Sequence, residues 1–396
     1  MEKSRELSPS EMMLFSPIDV GPVKLENRIA FAPTDLEMTP GGFVSDLFKR
    51  FNLRRARAGL GLIILGGVAV TPSKSGDVCR INSDEYVPGL KELADLIHSE
   101  TKTKLFVQLT HFLKLSRSGY RQKVEDLTYD DFKVIKSQFV AGALRAKQAG
   151  FDGVELHYAH AYTMASLLSR LSNKRTDMYG RTLEGRLRFP IEILRAVREA
   201  VGKDFVVGAR INGDEFISGG NTLLDSIPIA IRLAEEGLDY LSISCGGKFE
   251  DATVFHGRTE TQPGVPDPYS GYSGQRSFPW YWMPNSVNVY LAEAIRKALR
   301  EAGYNIPVMT AGKIPTPDIA EDILRSEKAD LIGLCRPLVC DPEWPLKARL
   351  GRWNEIITCE YGNHCYRKWT GPRIGPIRCI KWPKDSDDQA PYEVKG

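Results

Sequence analysis

Eight apolar runs of strand length, each ending on glycine or a polar residue, alternate with helical patterns along this chain. No other feature restricts the fold as strongly. The runs are Asn27–Pro33, Leu60–Val70, Lys104–His111, Gly153–Ala159, Asp204–Asn212, Tyr240–Gly246, Ile306–Gly312 and Ala329–Arg336. Helical spacing fills most of the gaps, at Asp46–Ala58, Gly89–Glu100, Tyr129–Gln148, Leu183–Val201, Leu224–Glu236, Val287–Ala302 and Thr316–Ser326. Successive parallel strands need a crossover, and strand–helix repetition supplies one each time. The pattern predicts an α/β fold, a single (β/α)8 TIM barrel over 1–355, with a short extension over 356–396. A chain of 396 residues fits one such barrel with insertions. Two connections are long, Lys114–Thr128 and Gly246–Pro284. The second carries Phe249, Phe255, Tyr269, Tyr272, Phe278, Trp280, Tyr281 and Trp282, and such a loop in a compact domain reads as a packed lid. The polar tail Lys381–Gly396 reads as loose.

Composition excludes several classes. Hydrophobic residues make up 42% and charged residues 26%, the balance of a globular domain with a large core. A formal net charge of +3 gives no argument for nucleic acid or a membrane surface. No run approaches the roughly 18 apolar residues of a membrane span. Met1-Glu-Lys-Ser-Arg-Glu6 lacks the apolar core of a signal peptide, so the expected location is cytoplasmic. Seven cysteines, an odd number, read as thiols or metal ligands and not as a disulfide framework.

The chemistry centres on Gly153-Val-Glu-Leu-His157-Tyr-Ala-His160-Ala-Tyr162, an apolar run that ends in clustered polar groups. Parallel barrels build their active sites at such strand ends. With Asn173-Lys-Arg175-Thr-Asp177-Met-Tyr179-Gly180 and Glu184-Gly-Arg186-Leu-Arg188-Phe189, this stretch resembles the Old Yellow Enzyme family of FMN oxidoreductases. The likeness runs from about Leu14 to about Cys379.

The resemblance implies a role for each matching residue. His157 and His160 match the pair that grips the carbonyl, or another electron-withdrawing group, of the substrate. Two imidazole N–H donors there stabilise the charge that builds on oxygen during hydride addition. Tyr162 matches the acid that protonates the α-carbon after hydride reaches the β-carbon. Ala161 stands where the family usually has glycine. For FMN, the resemblance assigns Gln108 to the pyrimidine edge, Arg210 to N1 and O2, and Gly67 to the ring face. Pro33, Thr34 and Asp35 follow the first strand, Asp35 falling where relatives place Thr or Cys near N5 and O4. A carboxylate there opposes flavin reduction unless it is protonated or turned away. Gly312, Lys313, Cys335 and Arg336, after the last two strands, match the phosphate site, although the family usually has glycine at 335.

The C-terminal part, from Trp344 to Cys359, is similar to the branch with 2,4-dienoyl-CoA reductase, 2-enoate reductase and trimethylamine dehydrogenase. Four cysteines hold a [4Fe–4S] cluster there. Here Cys359, Cys365 and Cys379 match three ligand positions and Gly362 replaces the fourth, with His364 a candidate substitute. No strand–G-x-G-x-x-G–helix unit follows. Electrons are then expected from NAD(P)H over the flavin or from a redox partner protein.

These residues predict an ene-reductase acting on an activated, unsaturated small molecule. A flavin-dependent amine dehydrogenase or demethylase, and a non-catalytic FMN-binding subunit, stay open beside it. So do the substrate, the choice of NADH or NADPH, and a homo-oligomeric state.

Overall fold

The computed structural model describes residues 11–72, 77–113, 122–249, 271–365 and 375–383. Its strands are β1 Ile18–Val20, β2 Val23–Leu25, β3 Ile29–Phe31, β4 Leu62–Ala69, β5 Lys104–Thr110, β6 Gly153–Tyr158, β7 Val206–Asn212, β8 Tyr240–Ser244, β9 Val308–Ala311 and β10 Leu331–Leu334. Strands β3 to β10 pair in parallel and close into an eight-stranded barrel, β10 returning to β3. The fold is the expected (β/α)8 barrel. Every residue of β5 beyond Lys104, and of β6, β7 and β8, is buried. Burial on both faces is why these strands read as near-continuous apolar runs.

Side chains alternate between the barrel interior and the helical layer. The interior begins with an apolar layer of Ala30, Leu62, Ile64, Phe106, Val206, Tyr240, Met309 and Leu331. Glycine makes room for the large members. A Cβ at Gly208 would lie 1.9 Å from the Tyr240 ring, and one at Gly153 would lie 2.5 Å from Val206. The β1–β2 hairpin, which the sequence pattern did not reveal, adds Val20 and Leu25 to this layer and plugs the N-terminal end. The same inward rows turn polar toward the strand ends, at Gln108, Glu155, His157, Arg210, Ser242 and Ser244. Register sets His157 beside Arg210 and Arg210 beside Ser242.

Helices form where the spacing predicts them, with small shifts at the ends: Asp46–Arg57, Val87–Glu100, Tyr129–Gln148, Leu183–Val201, Leu223–Glu235, Val289–Glu301 and Pro317–Arg325. Local caps fix their starts. Thr128 and Asp131 form a reciprocal capping box, and Thr182 accepts from the Gly185 N–H at 3.1 Å. Four short helices are additional: Thr163–Leu168, Gly271–Ser277, Arg336–Cys340 and Trp344–Arg349. Of the aromatic loop, Phe255 and Tyr269 lie outside the described residues, as does 384–396 of the tail. Tyr281 and Trp282 are exposed. The start of the tail is not loose. Trp382 is buried and donates from Nε1 to the Val339 carbonyl at 2.9 Å, while the Ile377 N–H reaches the Leu36 carbonyl at 3.0 Å. Burying one indole outweighs the polarity of its neighbours.

Candidate active site

Strand β6 ends in a sharp turn because His160 and Ala161 both adopt left-handed backbone, with φ of 63° and 61°. That turn folds the chain back, so residues that a strand would separate come together. The His157 and His160 rings lie 5.1 Å apart, and His157 and Tyr162 lie 5.0 Å apart. Phe112 meets Tyr162 edge-on at 5.1 Å. His160 Nε2 is 2.6 Å from Ser244 Oγ, which also accepts from Arg210 Nη2 at 3.2 Å. Arg210 Nη1 donates to Ser242 Oγ at 2.9 Å. Burial first, then for His160 the neighbouring His157, and for both rings the charges of Arg210 and Lys248, hold the imidazoles well below the ordinary histidine range. Each is neutral at pH 7 and offers one N–H donor.

Gln108 and Arg210 flank a carboxyl that sequence reasoning missed. Glu155 Oε1 accepts from Gln108 Nε2 at 2.7 Å and Oε2 from Tyr240 Oη at 2.9 Å. Burial raises the Glu155 pKa, opposed by the Arg210 charge. Gln108 Oε1 accepts from the Gly67 N–H at 3.1 Å. The missed signal was parity: Glu155 sits two residues before His157 on the inward row. Ser242, Ser244 and Lys248 were missed too. His111 Nδ1 lies 2.7 Å from Thr163 Oγ1, and burial pushes its pKa down to about 4.

Asp35 sits beside the Gly67 bulge. A Cβ at Gly67, where φ is 66°, would meet only the Asp35 side chain, at 3.9 Å. Gly66 closes the other side, since a Cβ there would lie 2.0 Å from the Thr34 nitrogen, the residue after Pro33. Asp35 Oδ1 accepts from the Glu37 N–H at 3.1 Å. Burial and then the Glu37 carboxyl push the Asp35 pKa up to about 8, so its acid form predominates at neutral pH.

The donor set fits a flat, polar cofactor such as FMN. Thr110 Oγ1, His157 Nδ1, Arg210 Nε and Asn212 Nδ2 are buried without hydrogen-bond partners. An orphaned buried polar atom costs about 1–3 kcal/mol, so a cluster of them marks a place for a polar group. The open face at Gly67 gives a ring somewhere to lie.

At the expected phosphate end, Gly312 and Lys313 turn through φ of 122° and 58°. The Lys313 ammonium is committed elsewhere. It donates to the carbonyls of Tyr281 at 2.7 Å, Trp280 at 3.2 Å and Met283. Arg336 Nη1 donates to the Pro279 carbonyl and to Asn363 Oδ1, both at 2.6 Å, and its guanidinium lies 4.8 Å from the Tyr361 ring. These two cations therefore also tie the 278–283 segment and the C-terminal extension to the barrel.

Cys359, Cys365 and Cys379 do not converge on a metal geometry. Among the described residues no group of three or more His, Cys, Asp or Glu side chains is placed to hold an ion. A Cβ at Gly362 would lie 2.7 Å from His364 Nε2, so the imidazole occupies the space of the missing fourth thiol. Cys379 instead accepts a hydrogen bond from Cys340, a cysteine that sequence reading left out.

Residues 13–246 match the model of the NADH:flavin oxidoreductase / NADH oxidase family. An NADH oxidase from Thermoanaerobacter brockii is 36% identical over 87% of this chain and 52% of its own length. An NADPH dehydrogenase from Geobacillus sp. is 35% identical over 85% of this chain and 94% of its own. Amine oxidation is represented by an N,N-dimethylglycine/sarcosine dehydrogenase from Chromohalobacter salexigens, 29% identical over 89% and 50% of the two chains. The solved structure of a 2-naphthoyl-CoA reductase complexed with 2-naphthoyl-CoA superposes with a TM-score of 0.80 at 25% identity, over 93% of this chain and 56% of that one. The chain spans about half the length of the first curated relatives it matches.

Proposed function

The chain belongs to the NADH:flavin oxidoreductase / NADH oxidase family and is an FMN-dependent oxidoreductase, and from that premise we propose that it reduces a C=C bond activated by a carbonyl or a similar group. One observation carries this reading: the convergence of His157, His160 and Tyr162 at the end of β6, about one ring-width apart and beside Arg210.

Pro33, Thr34, Gly67, Gln108 and Arg210 would hold the ring of FMN, and Gly312, Cys335, Arg336 and the backbone of Lys313 its phosphate. Bound and reduced, FMN supplies the hydride. The protein does the rest. His157 and His160, both neutral, donate hydrogen bonds to the activating oxygen and stabilise the charge that forms on it. Tyr162 Oη gives its proton to the α-carbon, a base far stronger than a phenolate. Arg210 would place a positive charge beside the ring edge. Phe112 holds the Tyr162 ring edge-on and restricts its swing. No step is routed through an iron–sulfur cluster. The names of the two relatives support NADH or NADPH as electron donor.

A second reading, oxidation of an amine, is favoured by the dimethylglycine/sarcosine relative. Two cations, Arg210 and Lys248, around the histidine pair weigh against a positively charged substrate. Anaerobic, photoreduced protein mixed with 2-cyclohexenone tests the proposal, with oxidised protein mixed with a secondary amine as its counterpart. Reoxidation by the enone without reduction by the amine is the expected result; the reverse pair of outcomes overturns it.

A further inference from the structure

We propose that Tyr361, in the C-terminal extension, donates its hydroxyl to the phosphate of FMN, on the reading that this phosphate lies at the ends of β9 and β10. The extension then completes the cofactor site.

Hydrogen bonds carry the extension onto that end of the barrel. Asn363 accepts from Arg336 Nη1 through Oδ1 at 2.6 Å and donates through Nδ2 to the Phe278 carbonyl at 3.0 Å. The Tyr361 N–H points at Cys359 Sγ at 3.4 Å. Tyr361 and Asn363 both take left-handed backbone, with φ of 54° and 55°. The resulting turn lays the Tyr361 ring against cations from two strand ends. The Arg336 guanidinium lies 4.8 Å from the ring centre and the Lys313 ammonium 5.4 Å.

Packing accounts for the ring but not for its hydroxyl. Contact with a cation uses the π face, which phenylalanine also has. Yet the side chain is only 4% exposed, and Oη is buried without a hydrogen-bond partner. A buried hydroxyl left so is destabilising, and it calls for a partner. Burial raises the Tyr361 pKa above the ordinary tyrosine range, opposed by the Arg336 charge, so the group is an O–H donor. What it lacks is an acceptor, and two cations on the same ring select an anionic one. The two cations differ in what they have left to give. Lys313 spends its ammonium on the carbonyls of Trp280, Tyr281 and Met283. Arg336 spends Nη1 on Pro279 and Asn363, and among the described residues its Nε and Nη2 make no hydrogen bond. A phosphate monoester offers three strong acceptor oxygens. It can accept from the Arg336 guanidinium and from Tyr361 together, with Lys313 adding charge from behind its carbonyl partners.

Riboflavin differs from FMN only in lacking the phosphate, so the ratio of the two affinities isolates that group. The full-length protein, stripped of flavin, is titrated with each, and quenching of flavin fluorescence gives both Kd values. The wild type is expected to prefer FMN. Tyr361→Phe should cut that preference by about 10- to 100-fold, the worth of one hydrogen bond to a charged group. Its affinity for riboflavin should stay as it was, because the ring and its cation contacts remain. Urea midpoints give a second sign. Without FMN, Tyr361→Phe should be at least as stable as the wild type, since an orphaned hydroxyl is gone; with FMN the order should reverse. Arg336→Ala tests the underlying reading, and should lower the preference too. A preference lowered by Arg336→Ala but unchanged by Tyr361→Phe overturns the role of Tyr361 and leaves the phosphate where it was placed. No preference in the wild type, or one that survives Arg336→Ala, overturns that placement and the role of Tyr361 with it. Equal weakening of both flavins by Tyr361→Phe makes the hydroxyl structural and also overturns the role. Should the variant fold poorly, a crystal structure of the FMN-loaded wild type decides: Tyr361 Oη farther than about 3.5 Å from every phosphate oxygen overturns it.

Discussion

The hydroxyl of Ser244 stands 2.6 Å from Nε2 of His160. The same oxygen accepts from Arg210, so Ser244 links the imidazole of one strand end to the guanidinium of another strand. Its hydrogen bond to Nε2 holds the His160 ring in place whichever partner carries the proton. Ser244→Ala removes this hold. The reoxidation of reduced protein by an enone should slow by about tenfold, the kinetic equivalent of about 1.4 kcal/mol, with FMN retained. Stopped-flow absorbance checks it. Restoration of the rate in Ser244→Thr would tie the effect to the hydroxyl.

The double variant His157→Ala with His160→Ala separates ligand binding from cofactor binding. FMN should remain bound, and the charge-transfer band given by a phenol over oxidised flavin should vanish. Loss of flavin from this variant would make the imidazoles structural.

Asp35 gives a pH dependence of definite sign. Its folded pKa is raised to about 8, against a carboxylate value of about 3.9 in the unfolded chain. Between these values the folded state holds the proton and the unfolded state does not. The Asp35 contribution to the stability of the FMN-free protein therefore falls as pH rises through about 4 to 8. Asp35→Asn should gain on the wild type across that window, the difference growing from pH 5 to pH 8. Urea midpoints at several pH values measure it. Glu215, also raised, to about 7, contributes equally to both proteins and cancels in the difference.

Ala161 illustrates what sequence could and could not say. The chain departs from the family's glycine there, and the departure was visible. Its consequence was not, because a backbone angle of φ 61° is a property of the turn. An L-residue in that region costs roughly 1–2 kcal/mol. Ala161→Gly should accordingly raise stability by about 1 kcal/mol, against the usual sense of such a change, and denaturant titration tests it.

The barrel itself was legible because buried parallel strands write themselves as apolar runs of strand length. The histidine pair and Tyr162 were legible as a motif. Glu155, Ser242 and Ser244 were not. Each is a single polar residue within an apolar run, and only strand register shows that all face one interior. Lys248 was hidden for another reason. Its position depends on Gly247 lying against His160, a contact between segments far apart in sequence. The cysteines are a different case. Their spacing resembles a ligand set, and among the described residues Cys340 lies against Cys379 and the His364 ring over Gly362.

Tyr162 offers the sharpest separation of roles. Hydride enters the flavin without needing the phenol, but leaves it toward a carbon that must also gain a proton. Tyr162→Phe should leave flavin reduction by NADH or NADPH nearly unchanged. It should slow reoxidation by an enone about 10²- to 10⁴-fold, the usual worth of a positioned general acid. The ring contacts to His157 and Phe112 survive the substitution, since neither is reported by the hydroxyl but by ring geometry. Nitroalkenes should suffer less, because a nitronate is stable enough to depart and take its proton from water. Stopped-flow of both half-reactions decides the matter. Equal slowing of the two halves would mean that Tyr162 shapes the flavin site. Slowing of neither would pass the proton to another acid, and Asp35, held in its acid form at neutral pH beside the Gly67 bulge, is the group the geometry then favours.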